Sequence, residues 1–247
     1  MKIRLDKLLV DRGLAASRER AQALILAGRV LVEEQRVDKP GTPVPEAAVL
    51  RLLGDDLKFV GRGGLKLEKA LEHWSIDLKG LACIDVGAST GGFTDCMLQR
   101  GAASVLAIDT GYGQIAEKLR SDARVTLMER TNARLLEAGS LPSEVGFFAM
   151  DVSFISATLV LPAVLGALGR PEKPWTGQAV ILIKPQFEAG REHVGKGGIV
   201  RTDAGRQIAI DRVVACAHGL GGVDLDLIDS PIRGMEGNHE YLFRVRY

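Results

Sequence analysis

The 247-residue chain is poor in cysteine: Cys83, Cys96 and Cys216 are the only three, and they show no paired spacing. An odd, sparse set argues against a disulfide framework or a zinc site and for a reducing compartment. Its four histidines, His73, His193, His218 and His239, form no ligand pattern, so no metal is expected. Aromatics make up only 5% of the residues. Long apolar runs are missing too. The longest weakly apolar stretch, residues 155–168, is too short to span a bilayer and carries Ser156, Thr158 and Pro162. The opening "MKIRLDKLLVDRG" lacks the apolar core of a signal peptide. These absences lead us to expect a soluble, cytoplasmic protein with no membrane partner. The rest of the composition, 46% hydrophobic and 26% charged, is ordinary for a globular chain. The length allows one large domain, or a small one plus a medium one.

A net charge of +1 excludes no partner class, but the charge is unevenly spread. Residues 1–29 carry seven basic side chains, Lys2, Arg4, Lys7, Arg12, Arg18, Arg20 and Arg29, against three acidic ones, Asp6, Asp11 and Glu19. A local basic face on a near-neutral protein points weakly to a polyanion. Residues 1–60 read as a small α+β unit. "RLDKLLVDRG" is a short amphipathic helix, Ser17 an N-cap for "RERAQALILAG", and short extended pieces follow at 30–32, 36–37 and 48–53. "KPGTPVP" is too rich in breakers for regular structure. The turn Gly54-Asp55-Asp56 is a plausible boundary, with 57–59 a short linker.

From residue 61 to 247, strands alternate with helices. Strands are expected at 82–86, 103–108, 125–128, 145–150, 179–183, 223–229 and 241–246. Helices are expected at about 64–74, 91–100, 113–120, 156–168 and 202–219. This is the pattern of an α/β domain with a seven-stranded, mostly parallel sheet covered on both faces. Ligands of such sheets lie beyond the carboxyl ends of the strands, so the residues just after each strand carry the functional argument.

The first of these segments is "IDVGASTGGFTD". Its glycines, Gly87, Gly91 and Gly92, let the backbone approach a ligand. Ser89 stands where a dinucleotide fingerprint needs its second glycine. That spacing favours the loop of S-adenosylmethionine-dependent methyltransferases, where no pyrophosphate needs room. Asp109, closing the next strand, suits the hydroxyls of a ribose. A merely structural tight turn is the competing reading.

Four charged residues remain to be placed. Lys184 ends the apolar strand "AVILI" just before Pro185, Asp151 ends "FFAM", Lys66 lies in "GRGGLKLEKAL", and Glu240 lies in "GNHEYLF". Methyl transfer to a hydroxyl needs a group to take or share the hydroxyl proton and to stabilise the developing oxyanion. A lysine held by carboxylates can do both. The plainer readings are a solvated helix lysine for Lys66, a helix N-cap for Asp151 and a hairpin residue for Glu240. For Lys184 the plainer reading is a snorkelling end-cap of the strand, and its site role is the hardest of the four to dismiss, because a strand end before proline in this fold faces the crevice.

Together, "RLDKLLVDRGLAASRERAQALILAGRVLV", "GRGGLKLEKAL", "DVGASTGGFTD", "DVSFIS", "LIKPQFEAGRE" and "GNHEYLF" resemble the successive motifs of the TlyA family. Its members are known both as haemolysins and as ribosomal RNA 2'-O-methyltransferases, and the resemblance covers essentially the whole chain. It implies a Rossmann-like, FtsJ-type methyltransferase domain behind a small S4-type RNA-binding domain. It implies a catalytic tetrad of Lys66, Asp151, Lys184 and Glu240, with Lys184 activating the ribose hydroxyl. Asp85, Gly87, Ala88, Ser89, Thr90, Gly91, Gly92, Phe93 and Asp109 would hold S-adenosylmethionine, with Asn132 near the adenine. Arg4, Lys7, Arg18, Arg20 and Arg29 would bind the phosphates of ribosomal RNA within a ribosomal subunit. The substrate would be a cytidine of the large-subunit RNA, as in the shorter subgroup of the family, with small-subunit RNA a further target in other members. The loop "EAGREHVGKGGIVR" would close over it.

Two departures stand out. Glu33-Glu34-Gln35 replaces the usual Asn-Gly or Asp-Gly turn, placing two acids near the expected phosphate face. "LKFVGRGG" lacks the Arg-x-Trp-Val form of some members. Two other functions fit the family less well: an RNA-binding assembly factor with a dead methyltransferase fold, and a membrane-active haemolysin, for which the chain offers no spanning segment or strongly basic amphipathic helix.

Overall fold

A computed structural model of the chain describes residues 2–15, 17–53, 58–142, 144–170, 172–234 and 236–247. The expected boundary turn at 54–56 and the first linker residue, 57, lie outside these. The chain divides into two compact units, Met1–Asp56 and Leu57–Tyr247.

In the first unit, β1 (Lys2–Arg4) leads into α1 (Leu5–Asp11) and α2 (Arg18–Leu26). Leu5, Leu8 and Leu9, at helical spacing, are buried with Ala21, Leu24 and Ile25 of α2. Ser17 caps α2 by accepting from Arg20 N. The strands β2 (Val30–Val32), β3 (Gln35–Arg36), β4 (Pro43–Pro45) and β5 (Leu50–Leu52) follow. They form a three-stranded sheet in the order β3-β2-β5 and a separate β1-β4 pair. The end of the breaker-rich segment, Pro43–Pro45, is therefore a strand, while residues 39–42 are irregular as expected. Val44 pairs with Ile3 between Pro43 and Pro45. A two-stranded ribbon has a free edge, so the missing N–H of each proline breaks no second ladder.

The second unit holds α3 (Gly63–His73), β6 (Ala82–Val86), α4 (Gly92–Gln99), β7 (Ser104–Ile108), α5 (Glu117–Arg120), β8 (Val125–Met128) and β9 (Val145–Met150). It continues with α6 (Ala157–Leu168), β10 (Gln178–Ile183), α7 (Pro185–Glu188), α8 (Asp203–Gly219), β11 (Val223–Asp229) and β12 (Tyr241–Arg246). Seven strands form one sheet in the order β11-β12-β10-β9-β6-β7-β8. The ladders among β8, β7, β6, β9 and β10 are parallel, and β12 runs antiparallel to β10 and β11. Both faces are covered. Phe148, Ile181 and Ile183 enter one core, and Phe147, Val180 and Leu182 the other. That explains why these strands read as continuous apolar runs.

Two helices differ from expectation: α7 forms directly after β10, where no helix was expected, with Pro185 at its first position. The reading of 113–120 shortens to Glu117–Arg120. Gly113 takes a left-handed φ of 68°, outside a right-handed helix, and its N–H goes to Glu129. Within α6, Pro162 cannot donate to Thr158 O, and the Cys216 thiol of α8 supplies a weak donor to that carbonyl at 3.7 Å. The order of strands reverses direction between β6 and β9. That places the switch point at the ends of the two strands carrying Asp85 and Asp151.

Candidate active site

The turn after β6 is built for close approach. Gly87 and Ala88 donate to Ile108 O, folding the turn over the end of β7, and Asp151 N donates to Val86 O. Gly87 has φ 88°, and a Cβ there would lie 2.4 Å from Asp151 O. Gly91 has φ 94°, and a Cβ would meet Leu119 at 2.3 Å. Both positions therefore require glycine. Ser89, at φ 50°, accepts strain that a glycine would avoid, and its N–H donates to Asp109 Oδ2 at 2.8 Å. Asp109 Oδ1 also accepts from Gly111 N, at 2.6 Å. Asp85 is wholly buried. One carboxylate oxygen takes both the N–H and the hydroxyl of Thr94, while Oδ1 has no partner among the described residues. Burial, the largest influence, pushes its pKa up to about 7, against the two Thr94 bonds that pull it down.

At the same end of the sheet, a cleft of about 650 Å³ is lined by Lys66, Asp151, Lys184 and Glu240 together. The four come from α3, from the ends of β9 and β10, and from the start of β12. Lys66 Nζ donates to Glu240 Oε2 at 2.6 Å and stands 4.0 Å from Asp151 Oδ2. Lys184 Nζ lies 2.5 Å from Asp151 Oδ1 and donates to Ser153 Oγ at 2.7 Å. The close approach of Lys184 to Asp151 is an ion pair outside hydrogen-bonding alignment. Two lysines and two carboxylates thus alternate in a chain that runs from Glu240 to Lys184 and sums to zero charge. Of the plainer readings, a solvated lysine does not describe Lys66, which is 7% exposed, and Glu240 is 2% exposed. The cap of α6 is Ser156, braced by the buried carboxylate of Glu188, which leaves Asp151 for the cleft.

A smaller cavity of about 320 Å³ adjoins the cleft and shares Gly87, Ser89, Asp151, Ser153 and Phe154 with it. Asp109 and Asn132 line it, and neither lysine nor arginine does. Asp109 brings a negative charge to it while Asp151 is already paired with Lys184, and a lining without a basic side chain offers a pyrophosphate no counter-charge. Ala88, Thr90, Gly92 and Phe93 line the larger cleft. Asp85 and Gly91 line neither cavity. They shape the turn and leave the contacts to their neighbours. Two residues of the motif "DVSFIS" had drawn no individual role from the sequence. Ser153 bonds Lys184. Phe154 is 93% exposed at φ 62°, with its ring 5.5 Å from that of Phe187. An aromatic next to three small or polar residues was the available signal, and its left-handed backbone was not legible.

In the first unit, Arg4 and Arg18 both donate to the buried carboxylate of Asp6, which also accepts from Gln22. These bonds, Arg4's foremost, hold the Asp6 carboxyl far below its ordinary range. Arg29 donates to Leu53 O. Lys7 is exposed. The two acids of the β2-β3 turn sit at φ 50° and 62°, the conformation that favours Asn-Gly. Glu33 accepts from Val49 N and Glu34 pairs with Arg51, so both carboxylates are tied to the β5 side of the sheet.

A seven-stranded sheet with this order, a glycine turn over a cation-free cavity and a lysine-carboxylate chain beside it define a Rossmann-like methyltransferase. The FtsJ-like methyltransferase family model matches residues 59–247, and the S4 domain model matches residues 3–50. The chain is 47% identical to YqxC of Bacillus subtilis over 247 residues, covering all of this chain and 86% of that protein. It is 43% identical to the "16S/23S rRNA (cytidine-2'-O)-methyltransferase TlyA" of Mycobacterium tuberculosis, covering 98% of this chain and 89% of the relative. A solved Streptococcus thermophilus structure with hemolysin in its description superposes with TM-score 0.74 at 44% identity, covering 99% of this chain and 88% of the other. The chain belongs to the TlyA family, with an FtsJ-like methyltransferase domain and an S4 domain.

Proposed function

We propose that the protein methylates the 2'-hydroxyl of a cytidine ribose in ribosomal RNA, with S-adenosylmethionine as donor, in the cytoplasm where ribosomes are made. The observation that carries this reading is the alternating chain Glu240-Lys66-Asp151-Lys184 ending beside a nucleoside-sized, cation-free cavity. The donor supplies an electrophilic sulfonium methyl, whose bond to sulfur breaks, leaving its electron pair on sulfur, as the bond to the ribose oxygen forms. Asp109 holds the donor's ribose hydroxyls, Asn132 borders its base, and the backbone of residues 87–93 packs on its methionine part. Lys184 faces the attacking hydroxyl, takes its proton and stabilises the oxyanion. Asp151 fixes the lysine, and Lys66 with Glu240 fixes Asp151. Phe154 offers a stacking face for a base at the mouth.

Within the S4 unit, Lys7, Arg4, Arg18, Arg20 and Arg29 are the candidates for phosphate contact; Lys7 is exposed, whereas Arg4 and Arg18 also neutralise Asp6 and Arg29 also bonds Leu53 O. The M. tuberculosis relative is named for both ribosomal RNAs, which weighs against confining this chain to the large subunit. Reaction of the pure protein with methyl-labelled donor and each purified ribosomal subunit, followed by mapping of the labelled nucleotide, tests the reading. Label on a cytidine 2'-oxygen is expected. Label on a base, or donor binding without transfer, would replace the reading with another methyl acceptor or with a non-catalytic assembly factor. Among the described residues no helix is long and apolar enough to cross a membrane, and nothing in the site favours membrane activity.

A further inference from the structure

A lysine that must take a proton from its substrate has first to give one up, and Lys184 is only 8% exposed. Among the described residues its surroundings offer one aligned side-chain partner. Asp151 Oδ1 is close but fully enclosed and not in hydrogen-bonding alignment. The single side-chain hydrogen bond of Lys184 among the described residues goes to Ser153 Oγ, at 2.7 Å. Ser153 is itself exposed and lines both the cleft and the smaller cavity. A hydroxyl both donates and accepts, so it can stay bonded to the lysine in either protonation state. It accepts from the ammonium and donates to the amine. A backbone carbonyl or a carboxylate in that place could only accept.

We propose that Ser153 relays the proton between Lys184 and solvent and fixes the direction in which the lysine points. The inference rests on the proposed methyl transfer, with Lys184 as the proton acceptor. Before the reaction, one N–H proton of Lys184 passes to Ser153 Oγ while the serine hydroxyl proton passes to a water or buffer base. The serine is left unchanged and the lysine becomes an amine with a free electron pair. That pair then takes the 2'-hydroxyl proton as the oxygen–methyl bond forms. Ser153 is thus a positioning residue that also moves a proton, acting through Lys184.

Single-turnover methyl transfer to ribosomal subunits, with the full chain and labelled S-adenosylmethionine, separates this from a purely structural role. Ser153→Ala should slow transfer by about 10- to 100-fold, and added imidazole should restore part of the rate. Ser153→Thr should stay near the wild-type rate. Binding of S-adenosylhomocysteine, measured by calorimetry, should be unchanged in both variants. An Ala variant that runs at the wild-type rate overturns the relay. So does one that is slowed but unmoved by imidazole, or one that loses S-adenosylhomocysteine. If the wild-type protein transfers no methyl group, the functional reading itself fails, and that result is distinct from all three.

Discussion

Asp85 shows how one residue of a motif can serve a site without touching its ligand. It closes β6 and ties the start of α4 through Thr94, and its pKa lies at about 7 rather than in the usual carboxyl range. Between about pH 4 and pH 7 the folded chain keeps this proton and the unfolded chain has lost it. Stability contributed by this group therefore falls as pH rises through that window, by an amount on the order of 4 kcal/mol. Asp85→Asn keeps an acceptor for Thr94 and removes the titration. Chemical denaturation from pH 4 to 8 should show a flatter profile and higher stability at pH 8 for the variant; parallel profiles would place the titrating group elsewhere. Gly87 makes the opposite demand. A methyl group there would meet Asp151 O at 2.4 Å in a left-handed backbone. Gly87→Ala should cost about 2 kcal/mol or more and abolish donor binding in calorimetry.

At the scale of elements, the strands were the most legible part of the chain. The central strands β9 and β10 are apolar runs buried on both faces, which makes their signal independent of register, whereas the edge strand β11 alternates aspartate with apolar residues. Regions where turn geometry decides were less legible. Gly113 ends what periodicity would extend into a helix, and β4 forms from Val44 between two prolines. The four charged residues Lys66, Asp151, Lys184 and Glu240 were legible one by one, but the alternation that joins them spans α3 to the start of β12, and no local pattern encodes it. Ser153 had no signal at all, since its meaning lies in a bond to a lysine 31 positions away. The Pro162 break in α6 supplies a stability test at this scale. Pro162→Ala returns an N–H to Thr158 O, and urea titration should show a gain of about 1 kcal/mol or more. No gain would mean that the Cys216 thiol already satisfies the carbonyl.

At the scale of the whole molecule, the basic excess is local: it lies in residues 1–29, with seven basic against three acidic side chains, while the second unit holds the neutral reactive chain. Within the first unit, arginines are not interchangeable as phosphate contacts. Lys7→Ala should weaken binding to ribosomal subunits and lower the slope of log affinity against log salt by about one, with the melting temperature unchanged. Arg4→Ala should lower the melting temperature, because it strips the main partner from the buried Asp6. If both variants lost only RNA affinity, Arg4 would be a phosphate contact first and a structural residue second.

Lys184, drawn into the cleft at the end of a buried strand, is the residue proposed to perform the chemistry. The most direct test of that role compares wild type with Lys184→Ala for methyl transfer from labelled S-adenosylmethionine to purified ribosomal subunits, with donor binding and thermal unfolding measured on the same samples. We expect a loss of transfer of at least about 100-fold, with donor affinity retained and a lower melting temperature, because Asp151 loses its nearest cation. Full transfer by the variant would contradict it.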